Sequence, residues 1–424
     1  MLDVVVVGAG VAGLAATREL VRAGFSVRLF EARERIGGRI FTLRDDACPV
    51  AIELGAEFLH GEAPETVEIA RANNFLISDI RGDRFALNHG RIRRLPEFWD
   101  RLGNILGRID TSGPDESFAD FLKRKPGGRK AAGDRALAKQ FVEGFHAADP
   151  ALVSAQSVAE ESPGSDPRSE RQGRLPLGYH VIPEALAEDL YDVIRVRAAV
   201  ERIAWQRGRV NVRVRVARRS VEETARAVIV TVPLGLLKAG AIDIEPAIPS
   251  FRRALPLLHM GSVLRVSLLF REAFWEERDP MDAAFLHTSD KRFPIFWTAL
   301  PNRAPLLVAW AGGPTAEQHA NTTEDERARA ALAALATQFD ISSRKMKGLF
   351  VRGVSHNWQA DPFARGAYSY TGVGGMNAAK ILATPTAQTV FIAGEASAAG
   401  RNGTVDGAIA SGLRAARQVL KALS

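Results

Sequence analysis

Cysteine is almost absent from this chain of 424 residues, which contains only Cys48. A single cysteine excludes an internal disulfide and a metal cluster held by cysteine ligands. No stretch approaches the run of about 18 apolar residues that a membrane-spanning helix needs. The first strand pattern begins at the N-terminus, which leaves no room for a signal peptide. We therefore expect a cytoplasmic protein with no membrane association and no bound metal.

Lysine is also scarce, because 10 of the 56 basic residues are lysine and the others are arginine. The formal net charge is +7 and the pI is about 9.7, a balance that can mark nucleic-acid binding. The arginines are scattered along the chain and form no long basic tract, which favours a solvated surface. We expect no nucleic-acid partner, and a basic surface is not an obvious host for a polycationic substrate.

The start of the chain contains a motif with chemical meaning. A β-branched run at 4–7 is followed by Gly8, Gly10 and Gly13, then by a helical pattern, a second apolar run and Glu31. The three glycines permit a tight turn, a close approach of backbone to a pyrophosphate, and close packing of helix on strand. The helix N-terminus attracts phosphate, and Glu31 is spaced to bind a ribose hydroxyl. The pattern predicts a βαβ unit that binds a dinucleotide; the alternative is an ordinary βαβ turn without one.

Three further features follow within the next thirty residues. The pair Gly37–Gly38 with Arg39 suits a second approach to a pyrophosphate, and the alternative is a glycine turn beside a surface arginine. Gly55–Ala56 provides small residues where a flat ring could lie against the backbone. His60 is the one histidine in a motif-like setting, and by itself it fits a structural role as well as a catalytic one.

The remaining chain predicts two domains, as its length suggests. Residues 64–150 are predicted to be mostly helical, with a basic, glycine-rich loop at 123–135, and 161–173 is predicted to be an irregular loop. Alternation of side chains along 262–270 predicts a strand with Arg265 on one face. The other predicted elements are strands at 194–197, 200–206, 210–216, 227–232, 293–300, 305–311 and 389–393, and helices at 183–190, 324–338 and 405–423.

Several of these stretches together resemble the flavin-containing amine oxidases. The matches occur in the family's order from residue 3 to residue 420. The resemblance is strongest to the branch of polyamine oxidases and lysine-specific histone demethylases, because 368–370 and 404–405 are similar to theirs. A chain of this length has no room for the extra modules of the demethylases. The matching stretches are the opening motif, Gly37–Arg39, Leu54–Ala56, Val232–Lys238, Asn357–Pro362, Gly366–Tyr370, Ala393–Glu395 and Gly403–Ala408.

The resemblance implies an α/β fold with two interleaved domains. Residues 1–75, 191–245 and 350–424 would form a Rossmann-like FAD-binding domain, and 76–190 with 246–349 a substrate domain of mixed sheet and helices. The residues expected at the FAD are Gly8, Gly10, Gly13, Glu31, Arg33, Gly38, Arg39, Gly55, Ala56, Glu57, Val200, Trp358, Ala367, Glu395, Thr404 and Val405. For Glu57 a surface position is the alternative, and for Trp358 and Tyr368 the alternative is plain core packing.

The family's chemistry is also implied. A hydride leaves the carbon next to a neutral amine for the flavin, water hydrolyses the imine, and oxygen reoxidises the flavin and forms hydrogen peroxide. His60 resembles a histidine that faces the substrate in animal-type polyamine oxidases, and Tyr368 matches a ring that stands beside the flavin. Together with Trp358 and Arg265 they are the expected catalytic residues. Glu143, Glu160 and Glu161 are possible anchors for the amine, or simply solvated charges.

Three residues depart from the family pattern. Ala367 stands where monoamine oxidases carry the cysteine that bonds the flavin, so we expect non-covalent FAD. Thr404 replaces the second tyrosine of the monoamine-oxidase cage, which favours the polyamine-oxidase branch. Arg265 replaces a lysine credited with helping oxygen react, and an arginine cannot give up its proton. If Arg265 faces the flavin, rapid use of oxygen is in question; the alternative is a solvent-facing arginine.

Two other functions therefore stay open. The chain could be an FAD-dependent dehydrogenase or amino-acid oxidase of the same fold, with another substrate or electron acceptor. It could also be a flavin-bearing binding protein that has lost catalysis. The sequence predicts neither the particular amine nor the oligomeric state.

Overall fold

The computed structural model describes residues 1–80, 83–161, 171–277 and 282–424. The strands are, in chain order, β1 (Leu2–Val7), β2 (Val27–Phe30), β3 (Thr42–Leu43), β4 (Ile52–Glu53), β5 (Leu59–His60), β6 (Ser78–Ile80), β7 (Arg84–Asn88), β8 (Arg91–Arg94), β9 (Gln172–Arg174), β10 (Ile194–Arg195), β11 (Ala198–Gln206), β12 (Arg209–Val216), β13 (Arg219–Val230), β14 (Asp243–Glu245), β15 (Leu258–Met260), β16 (Val263–Phe270), β17 (Phe285–His287), β18 (Ile295–Thr298), β19 (Leu306–Gly312), β20 (Phe350–Val354), β21 (Ser369–Thr371) and β22 (Val390–Ile392).

The α-helices of the same residues vary from one turn to five turns in length. They are α1 (Val11–Arg22), α2 (Pro64–Ala72), α3 (Phe98–Leu106), α4 (Phe118–Lys123), α5 (Ala132–Phe145), α6 (Ala155–Glu161), α7 (Val181–Ala187), α8 (Leu234–Lys238), α9 (Pro249–Ala254), α10 (Gly313–Glu317), α11 (Glu324–Phe339), α12 (Ser343–Leu349), α13 (Ala378–Leu382) and α14 (Val405–Leu423). None of the helices in the described ranges is long and apolar enough to cross a membrane. The described residues also contain no group of side chains that could hold a metal ion.

The first large sheet is built around β1, which lies parallel to β2 on one side and to β13 on the other. The strand order is β10-β2-β1-β13-β12-β11-β14, and β22 also pairs with β13 in parallel. The central strands are apolar on both faces, as strands covered on both sides are. Helices α1 and α14 pack together, and both contribute to the same apolar core as β1. The carboxyl end of β1 therefore opens onto the glycine turn.

The second large sheet has the order β20-β16-β19-β18-β17-β7-β8. Its pairs are antiparallel except for the parallel pair β17–β7. Every residue of β16 is buried, including the polar side chains Arg265 and Ser267. Helix α11 packs on β16 and β20 and shares their apolar core. A three-stranded sheet, β5-β9-β6, carries His60 at the end of β5.

Most predicted elements lie within a few residues of the observed ones, but two predictions were wrong. The stretch 64–150 is not mostly helical, because β6, β7 and β8 lie between 78 and 94. The missed signal is the tight turn at His89 and Gly90, both with positive φ (45° and 72°), which is typical of a two-residue hairpin. The predicted loop at 123–135 is shorter, since α4 ends at Lys123 and α5 begins at Ala132.

The structure describes only the two ends of the predicted loop at 161–173. Residues 162–170 lie outside the described residues, and the strand β9 begins at Gln172. The two large sheets take their strands from interleaved parts of the chain. Strand β20, at the start of the predicted FAD-binding segment 350–424, pairs with β16 of the second sheet. The division into the named domain segments stays a prediction.

The close contact of α1 with α14 depends on a glycine, which gives a test of the fold. A Cβ atom added at Gly412 would lie 2.1 Å from the carbonyl oxygen of Ala12. We expect Gly412→Ala to lower the free energy of unfolding by about 1–3 kcal/mol, because the helices must move apart. Chemical denaturation of the two proteins measures the difference. The control is Gly348→Ala on α12, where an added Cβ meets nothing within 4 Å, and which should be neutral or slightly stabilising. Equal stability of both variants would contradict the packing described here.

Candidate active site

One large cavity, of about 1190 Å³, runs from the glycine turn after β1 to the space beside the second large sheet. All of the predicted site residues except Gly13 line it. They are Gly8, Gly10, Glu31, Arg33, Gly38, Arg39, Gly55, Ala56, Glu57, His60, Val200, Arg265, Trp358, Ala367, Tyr368, Glu395, Thr404 and Val405. The fold therefore brings together residues that are far apart in the sequence, and their individual roles follow from the local geometry.

The glycine turn has the geometry of a phosphate cradle. Gly8 has a φ of +103°, which favours glycine, and a Cβ at Gly13 would lie 1.9 Å from the Gly8 carbonyl oxygen. Gly13 is thus needed for packing, which explains its absence from the cavity wall. At Gly10 an added Cβ would meet no atom within 4 Å. The space at Gly10 is open toward the cavity, as the approach of a pyrophosphate to bare backbone requires.

Glu31 follows β2 at the same end of the sheet. Its carboxylate accepts hydrogen bonds from the backbone N–H of Ala9 and of Arg33, each at 2.8 Å. Burial raises the pKa of this carboxyl, and the two N–H donors oppose the shift. Each carboxylate oxygen keeps a lone pair that can accept a further bond. The position fits a ribose hydroxyl, so the residues present fit a dinucleotide.

Arg39 is fixed by partners from the last sixth of the chain. Its guanidinium donates to the carbonyl oxygen of Ala367 and to the carboxylate of Glu395, both at 2.8 Å. Glu395 also accepts from the Ser369 hydroxyl at 2.6 Å and from the Gly403 N–H at 3.0 Å. Burial would raise the pKa of Glu395, but Arg39 and the hydrogen bonds hold it below the usual value. Arg39 is therefore no free surface arginine.

Gly55 and Trp358 form one side of the cavity. A Cβ at Gly55 would lie 1.9 Å from the Arg39 carbonyl oxygen and 3.2 Å from the Trp358 ring. The Trp358 ring is buried, and its N–H donates to the carbonyl oxygen of Leu54 at 2.9 Å. Trp358 thus lines the cavity and also supports the Gly55 loop from behind. Its two predicted alternatives, a wall of the site and core packing, are both realised.

Aromatic rings enclose the part of the cavity beyond Gly55, which we call the aromatic chamber. The Tyr368 hydroxyl donates to the carbonyl oxygen of Phe145 at 2.8 Å, and the Trp310 N–H donates to that of Gly144 at 2.9 Å. Burial raises the pKa of Tyr368, so the hydroxyl keeps its proton. The other rings of the chamber are Phe58, Phe98, Trp99, Phe141, Phe145, Phe285 and Trp297.

His60 faces this chamber from the end of β5. Its ring centre lies 5.3 Å from that of Phe145 and 6.0 Å from that of Phe58. The side chain is open to the cavity, but the surrounding protein removes most of its water, and this desolvation together with the charge of Arg84 lowers the pKa of His60 to about 4. The imidazole is therefore neutral near pH 7 and can both donate and accept a hydrogen bond.

Arg265 and Glu57 form a buried ion pair, with 2.7 Å between the guanidinium and the carboxylate. Arg265 is 4% exposed, so the solvent-facing alternative is excluded, as is the surface alternative for Glu57. Glu57 also accepts from Arg174 at 2.8 Å and from the Trp297 N–H at 3.0 Å. Burial would raise the pKa of Glu57, but Arg174 and Arg265 hold it below the usual value. Both members of the pair line the cavity.

Several residues of the site escaped the sequence analysis. Phe141 and Phe145 lie in the stretch that was predicted only to be helical, and their rings stack 5.0 Å apart in the chamber wall. Arg84 and His287 also line the cavity, from neighbouring strands. Alternation along a strand was the one signal available for them, and it does not tell which face meets a cavity.

The possible amine anchors divide into two groups. Glu160 and Glu161, at the end of α6, line the cavity, and Glu161 lies 3.3 Å from the ring of His146. Glu143 does not line it, and its carboxylate lies 3.5 Å from the ammonium group of Lys139. Two of the three carboxyl groups can therefore meet a ligand in the cavity.

The chain matches a known protein family along most of its length. The family model "Flavin containing amine oxidoreductase" matches residues 11–420. Polyamine oxidase 4 of Oryza sativa is 27% identical, over 99% of this chain and 88% of the relative. Lysine-specific histone demethylase 1 homolog 3 of Arabidopsis thaliana is 28% identical over 99% of this chain, which spans only 30% of that relative.

Solved structures resemble the fold over its whole length. A putrescine oxidase bound to putrescine has a TM-score of 0.82 at 22% identity, covering 99% of both chains. A cyclohexylamine oxidase from Brevibacterium oxydans has a TM-score of 0.81 at 22% identity, covering 100% of this chain and 99% of the other. The arrangement of two large sheets described above is therefore similar to that of these two amine oxidases.

The open space at Gly10 gives a direct test of cofactor binding. We expect Gly10→Ala to leave the stability of the apoprotein unchanged, because the added methyl group meets no protein atom. The same methyl group should weaken FAD binding by about tenfold or more, since it occupies the space of a phosphate. Equilibrium titration of the apoprotein with FAD measures the affinity.

The matched control is Gly103→Ala on α3, whose added Cβ is also free of contacts and which is not on the cavity wall. It should bind FAD as the unchanged protein does. Unchanged FAD affinity in Gly10→Ala would argue against a pyrophosphate at this turn.

Proposed function

Since this chain belongs to the flavin-containing amine oxidoreductases and is an FAD-dependent enzyme acting on amines, we propose that it oxidises a polyamine-like substrate with oxygen. The substrate is a primary or secondary amine with a second amino group, and the products are an imine, which water hydrolyses, and hydrogen peroxide. We also propose a cytoplasmic location, on the grounds of the single cysteine.

One observation carries the proposal: a neutral histidine faces an aromatic chamber that is continuous with the dinucleotide-binding turn. FAD, when bound, accepts the hydride from the carbon next to the amine. His60 can accept a hydrogen bond from the amine N–H, which fixes the position of the nitrogen. The rings of Tyr368 and Phe145 exclude water and favour the uncharged amine over the ammonium ion. Ala367 offers no nucleophile, and Cys48 does not line the cavity, which agrees with non-covalent FAD.

The second amino group has acidic partners within reach of the same cavity. Glu160 and Glu161 line it, and a carboxylate is the group that attracts an ammonium ion. The relatives named polyamine oxidases support the same class of substrate. An amine with one nitrogen would leave these two carboxyl groups without a role in binding.

A second candidate function concerns the electron acceptor. Arg265 is buried in the ion pair with Glu57 at the cavity wall, so it is a fixed cation that cannot release its proton. This residue favours a dehydrogenase, or an oxidase that reacts slowly with oxygen. The chemistry at the amine is the same in both cases.

Anaerobic addition of amines tests the substrate class. We expect spermine, spermidine or putrescine to bleach the visible absorption of the FAD-loaded protein, whereas aromatic monoamines and L-amino acids should not. Bleaching by L-amino acids alone would replace the polyamine proposal with an amino-acid oxidase. His60→Asn should slow bleaching by about tenfold or more, because the shorter side chain no longer holds its hydrogen-bond acceptor at the position of the imidazole ring.

His180→Asn is the matched control for His60. His180 is only partly buried and does not line the cavity, so bleaching should proceed at the unchanged rate. Equal rates in the two variants would remove His60 from the proposed role.

Admission of air after bleaching tests the acceptor. We expect the return of the absorption to be slow, and faster by about tenfold in Arg265→Lys, whose ammonium group can release a proton. The control is Arg271→Lys, an exposed arginine just beyond β16, which should behave like the unchanged protein. Return of the absorption with an artificial acceptor but not with air would favour the dehydrogenase.

A further inference from the structure

A second, much smaller cavity lies behind the ion pair of Arg265 and Glu57. Its volume is about 40 Å³, and its polar lining consists of Glu53, Glu57, Arg174, Arg265, Thr298 and Asn302. This space is large enough and polar enough to hold a water molecule. Glu57 and Arg265 line both cavities, so the ion pair is the wall between them.

Glu53 is the one carboxyl group of the small cavity that no guanidinium contacts directly among the described residues. One oxygen accepts from the Tyr179 N–H and the other bonds the Thr42 hydroxyl, both at 2.7 Å. The residue is 7% exposed. Burial raises the pKa of Glu53 to about 7, against the two hydrogen bonds and the charge of Arg265. Such a group gains or loses its proton in the physiological range.

The groups that face Glu53 come from every element packed around it. Arg265 on β16 favours its ionised form, as does Arg174 on β9, whereas Glu57 opposes it. The Tyr179 hydroxyl, whose pKa burial raises, stays neutral. The backbone N–H of His180 donates to the Thr42 hydroxyl at 3.2 Å and so joins the network.

These groups form a cluster whose total charge depends on one proton. Two guanidinium groups and the Glu57 carboxylate leave one net positive charge when Glu53 is protonated. When Glu53 is ionised, the two positive and two negative charges cancel. The cluster lies at the edge of the large cavity, where Arg265 also contacts the Gly55 carbonyl oxygen at 3.4 Å.

We propose that Glu53 is a positioning residue. Its protonation state sets the net charge that the Arg265–Glu57 pair presents to the large cavity, where FAD binds. Protonated Glu53 leaves the wall positive, and ionised Glu53 makes it neutral. A flavin gains negative charge when it is reduced, so a positive wall favours the reduced cofactor. The inference rests on the FAD site of the proposed function, but on neither the amine nor the electron acceptor.

The first test uses the apoprotein and needs no activity. The folded-state pKa of Glu53 lies above its unfolded value, so its stabilising contribution is complete below the unfolded pKa and is lost as the pH rises through about 7. Glu53→Gln removes this dependence. We expect the melting temperature of Glu53→Gln to rise relative to the unchanged protein between about pH 5 and pH 8. Glu68→Gln, an exposed residue of α2, should show no such trend.

The second test measures the midpoint potential of bound FAD against pH by reductive titration, without amine or oxygen. Below about pH 6 the potentials of the unchanged protein and Glu53→Gln should agree, because the cluster carries one net positive charge in both proteins. Above about pH 7 the potential of the unchanged protein should fall below that of Glu53→Gln, since only its wall becomes neutral. Parallel curves over the whole range would overturn the proposal.

If Glu53→Gln does not fold, Thr42→Val provides a second test of the role of Glu53. This variant retains Glu53 but removes a hydrogen bond that lowers its pKa, so the bend in both pH curves should move to higher pH. A bend at the same pH would contradict the role of Glu53. A protein that binds no FAD would instead overturn the proposed function, while the apoprotein test would still decide the titration of Glu53.

Discussion

The buried pairing of Glu395 with Arg39 is the interaction on which the rest of the site depends. It joins the loop after the first βαβ unit to Ser369 and Gly403, which lie more than three hundred residues later in the chain. A charged carboxylate inside a protein is tolerated only when partners replace its water, and here a guanidinium, a hydroxyl and backbone N–H groups do so. Tyr368 precedes Ser369, and Thr404 follows Gly403, so the same carboxylate positions two parts of the cavity wall.

The rest of the site follows from the way the two large sheets meet this cavity. The first sheet ends in a turn whose glycines leave room for phosphate, and the second presents Arg265 and the tryptophans of its strands. Because β5 belongs to neither large sheet, His60 reaches the chamber from a separate small sheet. The nucleotide end of the cavity is therefore made of backbone and polar groups, and the far end of rings. One continuous space can thus hold a dinucleotide at its polar end and a second ligand among the rings.

The residues that sequence could predict are those whose role depends on near neighbours. The positions of Gly8, Gly10, Gly13 and Glu31 could be predicted from their spacing, because the consecutive elements β1, α1 and β2 fix where each residue lies. Arg265 is different: alternation placed it on a strand face, but its partner Glu57 is about two hundred residues away, and no local pattern could show that the two meet. The neutral state of His60 likewise depends on desolvation by distant segments of the chain and on the charge of Arg84. The hairpin at His89–Gly90 was missed because one glycine does not distinguish a two-residue turn between strands from the end of a helix.

The end of helix α5 has a consequence for how the chamber can change. The last carbonyl groups of a helix lack partners within it, and here Gly144 and Phe145 receive theirs from Trp310 and Tyr368. Trp310 and Tyr368 thus line the chamber and also satisfy the last carbonyl groups of α5. The same hydrogen bonds therefore support both the site and the fold. A mutation that replaced either ring to admit a larger amine would also weaken the helix end. New specificity at this position would therefore have to arise together with compensating stability elsewhere in the protein.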